Sequence, residues 1–276
     1  MSKLKYTFKT DILFKLIFTN YPHLLKKLVA HLLKIPQSRI KQFIILNPEV
    51  SPDVIGKKFS RLDILMTVNN KKVNLEVQVK DEGNYPERAL FYWAKTYSGT
   101  LPKSGKYIDL QQTIVINIIN FPLFKDSSEF HSEFRLLEVT RGTQLTDKQI
   151  LHFFELPKLP DNIKKNELMK LWLALFKANT EEDLKMIEEM GVSEVNEVIT
   201  AYRSVMASPE LQEIERQLER ARINEASALH HAEQSGEKRG EKRGAKAERK
   251  KWRDVVAKKD AQIAELQAKL DGKSKE

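Results

Sequence analysis

An alternating stretch at residues 59–80, FSRLDILMTVNNKKVNLEVQVK, constrains the fold of this chain more than any other part of it. Apolar side chains recur at every second position in two runs: Leu62, Ile64 and Met66, then Val73, Leu75, Val77 and Val79. That period of two predicts a pair of strands. Residues 69–72, Asn-Asn-Lys-Lys, predict a tight turn between them, because Asn tolerates the positive φ of short hairpin turns.

The polar positions of the second predicted strand carry Glu76, Gln78 and Lys80 in a row on one face, because side chains two apart point the same way. Asp63 on the partner strand lies near this row if the register allows it, and a slip of one residue would turn it away. Two carboxylates, an amide and an ammonium on adjacent strands predict a divalent-metal site. Mg²⁺ takes oxygen ligands, usually one or two carboxylates completed by phosphate and water.

An Asp followed by E-x-Q on the next strand resembles the PD-(D/E)XK nuclease superfamily, and more narrowly the Rpn family of recombination-promoting nucleases, also described as transposases. Other stretches match that family in the same order. They are FKTDILFKLIF at residues 8–18, PERALFYWAKTYSGTL at 86–101, QQTIVINIINFPLF at 111–124 and FELPKL at 154–159. The resemblance covers roughly the first 200 residues, and its specificity comes from several ordered motifs rather than from E-x-Q alone.

The resemblance implies an α/β fold, a PD-(D/E)XK nuclease-like mixed central sheet flanked by helices. It implies a metal-dependent DNA endonuclease that uses Mg²⁺, with Mn²⁺ as a substitute. Asp63 and Glu76 would hold the metal, and Gln78 would orient the attacking water. A role in recombination, in mobile elements or in defence would follow. An RNA nuclease and a non-catalytic DNA-binding or assembly protein that retains the fold are the alternatives.

Two positions depart from the superfamily pattern, Leu62 where a proline usually precedes the Asp and Gln78 in the E-x-K triplet. Gln78 stands where a lysine is usual and brings no charge, so Lys80 either supplies the ammonium or is a rim charge at the strand end. Asp53, in Pro52-Asp53, competes with Asp63 for the acidic position. Asp63 is preferred because a strand holds a ligand rigidly, whereas Asp is an ordinary turn residue in a loop that contains Pro and Gly.

Residues 8–34 have the apolar spacing of helices, broken near Tyr21-Pro22. Asp11, in the first turn, either interacts favourably with the helix dipole or reaches the metal site, as an acidic residue from the first helix does in nucleases that this chain resembles. Lys15, one turn later, pairs with Asp11, binds substrate phosphate or is simply solvated.

Residues 86–101 predict a helix that begins at a proline. Its predicted inward stripe is Leu90, Trp93, Ala94, Tyr97 and Leu101. Two side chains off that stripe are substrate-binding candidates. Arg88 would contact a phosphate or a ligand carboxylate, and Tyr92 would hydrogen-bond there or stack on a base. The alternative for Tyr92 is packing at the margin of the core.

The remaining pattern predicts a nuclease domain at residues 1–160, a helical cap packed on it at 161–207, and a charged helical tail at 208–276. Within the domain, residues 113–119 predict a central strand because they are apolar on both faces. Residues 134–139 predict an edge strand and 152–156 a further strand. The cap is predicted to contain helices at 163–177, 181–190 and 193–207.

The tail combines a weak heptad pattern with a basic repeat. Val256, Ile263 and Leu270 recur every seven residues, and residues 236–244 read GEKRGEKRG. Each glycine within a helix costs about 1 kcal/mol against alanine. The tail is therefore a weak coiled coil that forms a homodimer, a partly disordered basic arm that engages DNA phosphates, or a solvated charged helix.

Composition narrows the functional classes. The chain of 276 residues contains no cysteine, which excludes disulfides and thiolate chemistry. Its formal charge of +9 suits a polyanionic partner. It carries neither the h-region of a signal peptide nor an apolar run of transmembrane length, so a cytoplasmic protein without a membrane partner is predicted.

Overall fold

The computed structural model describes the backbone of residues 2–46 and 62–273, and the side chains of residues 2–46 and 64–264. Two compact units follow one another, Met1–Gln217 and Leu218–Glu276. Asp53, the alternative acidic candidate, lies outside the described residues, as do the side chains of Asp63 and Leu270.

A mixed sheet forms the first unit's centre, as predicted. Its strands are β1 (Phe43–Ile45), β2 (Leu62–Val68), β3 (Lys71–Gln78), β4 (Thr113–Ile119), β5 (His131–Phe134) and β6 (Gln149–Glu155). The spatial order is β1-β2-β3-β4-β6-β5. The three central strands β3, β4 and β6 run parallel, and the outer pairings are antiparallel. Every side chain of β4 is buried, which confirms the prediction of a central strand covered on both faces.

The helices of the first unit flank this sheet. They are α1 (Asp11–Asn20), α2 (Pro22–Leu32), α3 (Tyr85–Ser98), α4 (Leu168–Lys177), α5 (Glu181–Glu189) and α6 (Ser193–Met206). Helix α1 contacts β2 and α6, whereas α3 contacts β3, β4 and β6. The predicted break between α1 and α2 at Tyr21-Pro22 is confirmed.

The hairpin turn between β2 and β3 is two residues long. Asn69 and Asn70 have φ values of 47° and 63°, so both occupy the left-handed region that the asparagines were expected to supply. Lys71 and Lys72 were predicted in the turn but already belong to β3. The Asn69 side chain also accepts hydrogen bonds from the backbone N–H groups of Lys41 and Gln42, which ties the turn to the segment before β1.

Three predicted elements differ from the structure. The edge strand β5 lies at residues 131–134 instead of 134–139, because only that segment pairs with β6. The predicted helix at 163–177 begins at Leu168. Helix α3 buries Tyr85 and Ala89, while Leu90 of the predicted inward stripe is 48% exposed. Both faces of α3 carry aromatic residues, so the sequence pattern did not distinguish the inward face.

Helix α7 (Pro209–Lys273) extends through both units without a break, including the three glycines of the repeat. Its first two turns pack in the first unit through Leu211 and Ile214. In the second unit, every described side chain from residue 219 to residue 264 is exposed. In the described part of the chain, no helix combines the length and the hydropathy needed to span a membrane.

A pair of stacked histidines joins the two strands at the β5 edge. The Nε2 atom of His131 lies 3.1 Å from Nδ1 of His152, which is also 3.9 Å from a carboxylate oxygen of Glu133. Burial lowers the pKa of His152 to about 4, against the opposing effect of Glu133. The histidine is therefore neutral in the folded protein at pH 7.

Acidification is expected to unfold the protein partly through His152. Its folded-state pKa lies below the unfolded value of about 6.5, so its contribution to stability is present above that value and is lost as pH falls towards 4. The loss should reach about 3 kcal/mol near pH 4. Urea denaturation at several pH values measures it, and His152→Phe should show a flatter pH dependence. Equal slopes in the two proteins would contradict the assignment.

Candidate metal-dependent nuclease site

The hairpin register places the two predicted metal-binding carboxylate residues opposite each other. Asp63 of β2 pairs with Glu76 of β3, and Glu76 is in turn paired with Asn117 of β4. Positions that are directly opposite in neighbouring strands share a face of the sheet. A row of three polar residues therefore crosses β2, β3 and β4, and the register assumed from the sequence is confirmed.

Glu76 is a buried carboxylate with a neighbouring amide. Its side chain is 3% exposed, and its Oε1 atom accepts a 3.1 Å hydrogen bond from Nδ2 of Asn74. Asn74 is itself 4% exposed and lies two residues earlier on the same face of β3. A hydrogen bond to an ionised carboxylate is stronger than a bond between neutral groups, so this contact orients Glu76.

Gln78 is held in one orientation by contacts on both ends of its amide. Its Oε1 atom accepts a 2.9 Å hydrogen bond from Nη2 of Arg88, and its Nε2 atom donates to the carbonyl of Lys80 at 2.9 Å. Arg88 also donates from Nη1 to Glu82 at 3.1 Å, and its guanidinium lies 5.5 Å from the centroid of the Tyr85 ring. The structure thus joins Arg88 to Gln78 directly, a contact that the sequence did not indicate.

Lys80 lies outside the strand. Strand β3 ends at Gln78, so the predicted row of three polar residues on one strand face is correct for Glu76 and Gln78 and wrong for Lys80. The Lys80 side chain is exposed, two residues beyond the strand end. A catalytic role for Lys80 stays a prediction.

Helix α1 presents Asp11 and Lys15 one turn apart. Asp11 is partly buried in the first turn of a helix that contacts β2. Lys15 is only 4% exposed, so the interpretation of Lys15 as a solvated lysine is wrong. It is buried because α1 packs between β2 and α6 and buries residues on most of its circumference.

A second buried polar group lies beside Glu76 in the sheet. The Tyr85 hydroxyl donates a 3.0 Å hydrogen bond to Oδ1 of Asn117, whose Nδ2 donates to the carbonyl of His152 at 2.9 Å. Tyr92, the predicted base-stacking residue, is partly buried and meets Phe91 edge to face, with centroids 5.4 Å apart. Sequence reasoning missed Asn74, Tyr85 and Asn117. The signal for Asn117 was a single internal polar residue in the otherwise apolar run of β4, whereas Asn74 lies on the polar face of β3 that also carries Glu76 and Gln78.

The residues present fit a hard divalent cation. Within the described side chains, no group of three or more His, Asp or Glu residues is arranged so that it could hold a metal ion by itself. Mg²⁺ does not require such a group, since one or two carboxylates suffice when phosphate and water complete its shell. Glu76, opposite Asp63, supplies this donor type, and Oδ1 of Asn74 is a buried oxygen without a hydrogen-bond partner among the described residues.

A mixed sheet between helices, with an Asp on one strand of a hairpin and E-x-Q on the next, defines a PD-(D/E)XK-type nuclease fold. The family model described as PD-(D/E)XK nuclease family transposase matches residues 8–232, and the chain belongs to that family. No curated protein and no solved structure matches the chain. Membership supports a role related to nucleases or transposases and implies DNA as the substrate. PD-(D/E)XK nucleases in general use divalent metals.

Proposed function

We propose that this protein is a Mg²⁺-dependent DNA endonuclease that hydrolyses phosphodiester bonds during recombination or the movement of mobile elements. The observation that carries this proposal is the pairing of Asp63 with the buried, hydrogen-bonded Glu76. The family membership supports the same activity. Mn²⁺ is expected to replace Mg²⁺.

Asp63 and Glu76 are the residues that would hold the cation, with Asp11 from α1 as the third acidic candidate. When bound, the cation lowers the pKa of a water molecule and stabilises negative charge on the phosphodiester. Gln78 would orient the water through the second N–H of Nε2 or the second lone pair of Oε1, because the Lys80 carbonyl and Arg88 each take one of these. This arrangement gives Gln78 a positioning role and leaves proton removal to other groups.

Positive charge for the substrate phosphates would come mainly from Lys80, after the β2–β3 hairpin. Lys80 is exposed beside Gln78 and is the candidate that can reach a phosphate without desolvation. Arg88 is shielded and partly neutralised by its contacts with Gln78 and Glu82, so its role would be to hold Gln78 in place rather than to bind a phosphate directly. Lys15, the other lysine candidate, is buried in α1. Tyr92 of α3 offers an aromatic ring on which a base of the substrate would stack.

The basic part of helix α7 would bind DNA phosphates other than the one that is cleaved. Residues 236–253 carry nine Lys or Arg and three Glu, and all of their side chains are exposed. Such a helix neutralises phosphates without reading bases. The alternative use of this helix is to form a homodimer. Val256 and Ile263, which are exposed and seven residues apart, support a coiled coil.

Plasmid cleavage tests the function. The protein is expected to cut supercoiled plasmid with Mg²⁺ or Mn²⁺ and to stop when EDTA removes the metal. Incubation with a single-stranded RNA under the same conditions distinguishes a deoxyribonuclease from a ribonuclease. No cutting with any divalent metal, together with a DNA shift in a gel, would favour a non-catalytic DNA-binding or assembly protein.

A further inference from the structure

We propose that Asn74 is a positioning residue that fixes the Glu76 carboxylate for the divalent cation. The inference rests on the proposed function, since it assigns a further residue to the same metal site. It concerns a residue outside the D and E-x-Q pattern that defines the site in the sequence.

The contact between the two side chains is direct and buried. Nδ2 of Asn74 lies 3.1 Å from Oε1 of Glu76, and both residues are less than 5% exposed. A glutamate side chain has three rotatable bonds and several staggered rotamers. A donor fixed on the same strand removes part of that freedom before any metal binds, which is how residues behind a metal ligand raise affinity.

The surroundings of Asn74 give no structural reason for an amide. Its paired neighbours in the ladder are Leu65 on β2 and Val115 on β4, so an aliphatic side chain would match them. Asn is also disfavoured within strands. Its Oδ1 atom, moreover, has no hydrogen-bond partner in the described part of the chain. A buried amide that leaves its oxygen unpaired lowers stability, so the bond to Glu76 is the contact that explains its presence.

Asn74→Leu separates positioning from packing. The variant removes the unpaired oxygen, but it also removes the donor to the buried Glu76 carboxylate, so the metal-free protein should melt at the same temperature as the wild type or lower. Mn²⁺ binding, followed by the loss of the free-ion EPR signal during titration, should weaken by about tenfold or more. A residue with only a structural role would leave the Mn²⁺ affinity of the folded variant unchanged, whatever its melting temperature.

Gln149→Leu is the matched control. Gln149 is 3% exposed, carries a buried Oε1 atom without a partner among the described residues, and lies on β6, which β4 separates from β3. It should keep wild-type Mn²⁺ affinity. If Asn74→Leu does not fold, Asn74→Val makes the same deletion with a residue that strands favour.

The outcomes distinguish this inference from the function on which it rests. Wild-type protein that binds Mn²⁺ and cuts DNA, with unchanged affinity in Asn74→Leu, overturns only the role of Asn74. Wild-type protein that neither binds Mn²⁺ nor cuts overturns both. Weaker binding in Asn74→Leu but not in Gln149→Leu supports the assignment.

Discussion

Replacing Glu76 with glutamine is expected to lower plasmid cleavage by at least about a thousandfold while the protein stays folded. Glutamine keeps the volume of the buried side chain and still offers an oxygen to Asn74, so the sheet should remain intact. The variant loses the negative charge that would hold the cation. Because a contact behind a ligand is already worth ten- to a hundredfold in metal affinity, loss of the ligand charge itself should cost more.

Asp63→Asn should show the same loss, since Asp63 is the residue paired with Glu76. Glu87→Gln is the control, because Glu87 is an exposed carboxylate in the first turn of α3. Rates come from the conversion of supercoiled to nicked and linear plasmid, and circular dichroism confirms the fold of each variant. Undiminished cutting by Glu76→Gln would exclude the hairpin as the catalytic site.

The second large effect concerns Glu155, whose removal is expected to destabilise the protein by about 3–5 kcal/mol. The carboxylate is 1% exposed and forms a 2.7 Å ion pair with Lys158. Its Oε1 atom accepts hydrogen bonds from the backbone N–H groups of Leu123 and Phe124. Glu155→Ala leaves a shielded ammonium and two backbone donors without their acceptor, and each unpaired group costs stability.

Urea denaturation measures this change as a difference in the free energy of unfolding. Glu155→Gln keeps an acceptor for the two N–H groups but loses the charge, so its loss should be smaller. Glu129→Ala, at an exposed position, should change stability by less than about 0.5 kcal/mol. A loss below about 1 kcal/mol in Glu155→Ala would show that this buried pair contributes little.

Glu155 also joins two of the sequence stretches that match the family pattern. It lies within FELPKL, and its backbone partners lie at the end of QQTIVINIINFPLF. Lys158 reaches the same loop by donating to the carbonyl of Phe124 at 2.6 Å. The two stretches therefore form a single contact at the ends of β4 and β6.

The hairpin could be predicted because two local signals agree, whereas its register was only assumed until the turn proved to be two residues long instead of the four predicted at 69–72. The period of two fixes which residues share a face, and an Asn-Asn pair with positive φ fixes a two-residue turn, which sets Asp63 opposite Glu76. The central strand β4 was equally clear from its length and apolar composition.

Other features depend on tertiary contacts that no local pattern contains. The burial of Lys15 follows from where β2 and α6 lie against α1. The bond between Gln78 and Arg88 depends on how α3 follows the strand. The segment at 134–139 has strand-forming residues, but the length of an edge strand is set by its partner, and β6 pairs only with residues 131–134.

The parallel centre of the sheet affects the order in which the site is assembled during synthesis. The β2–β3 hairpin closes over a two-residue turn, whereas Asn117, the partner of Glu76 on β4, leaves the ribosome about 40 residues later. Contacts this distant in sequence form slowly because a long loop must close first. A nascent chain can therefore carry the Asp63–Glu76 pair before β4 joins β3, and the row of polar residues across the three strands is completed only after most of the sheet has been made.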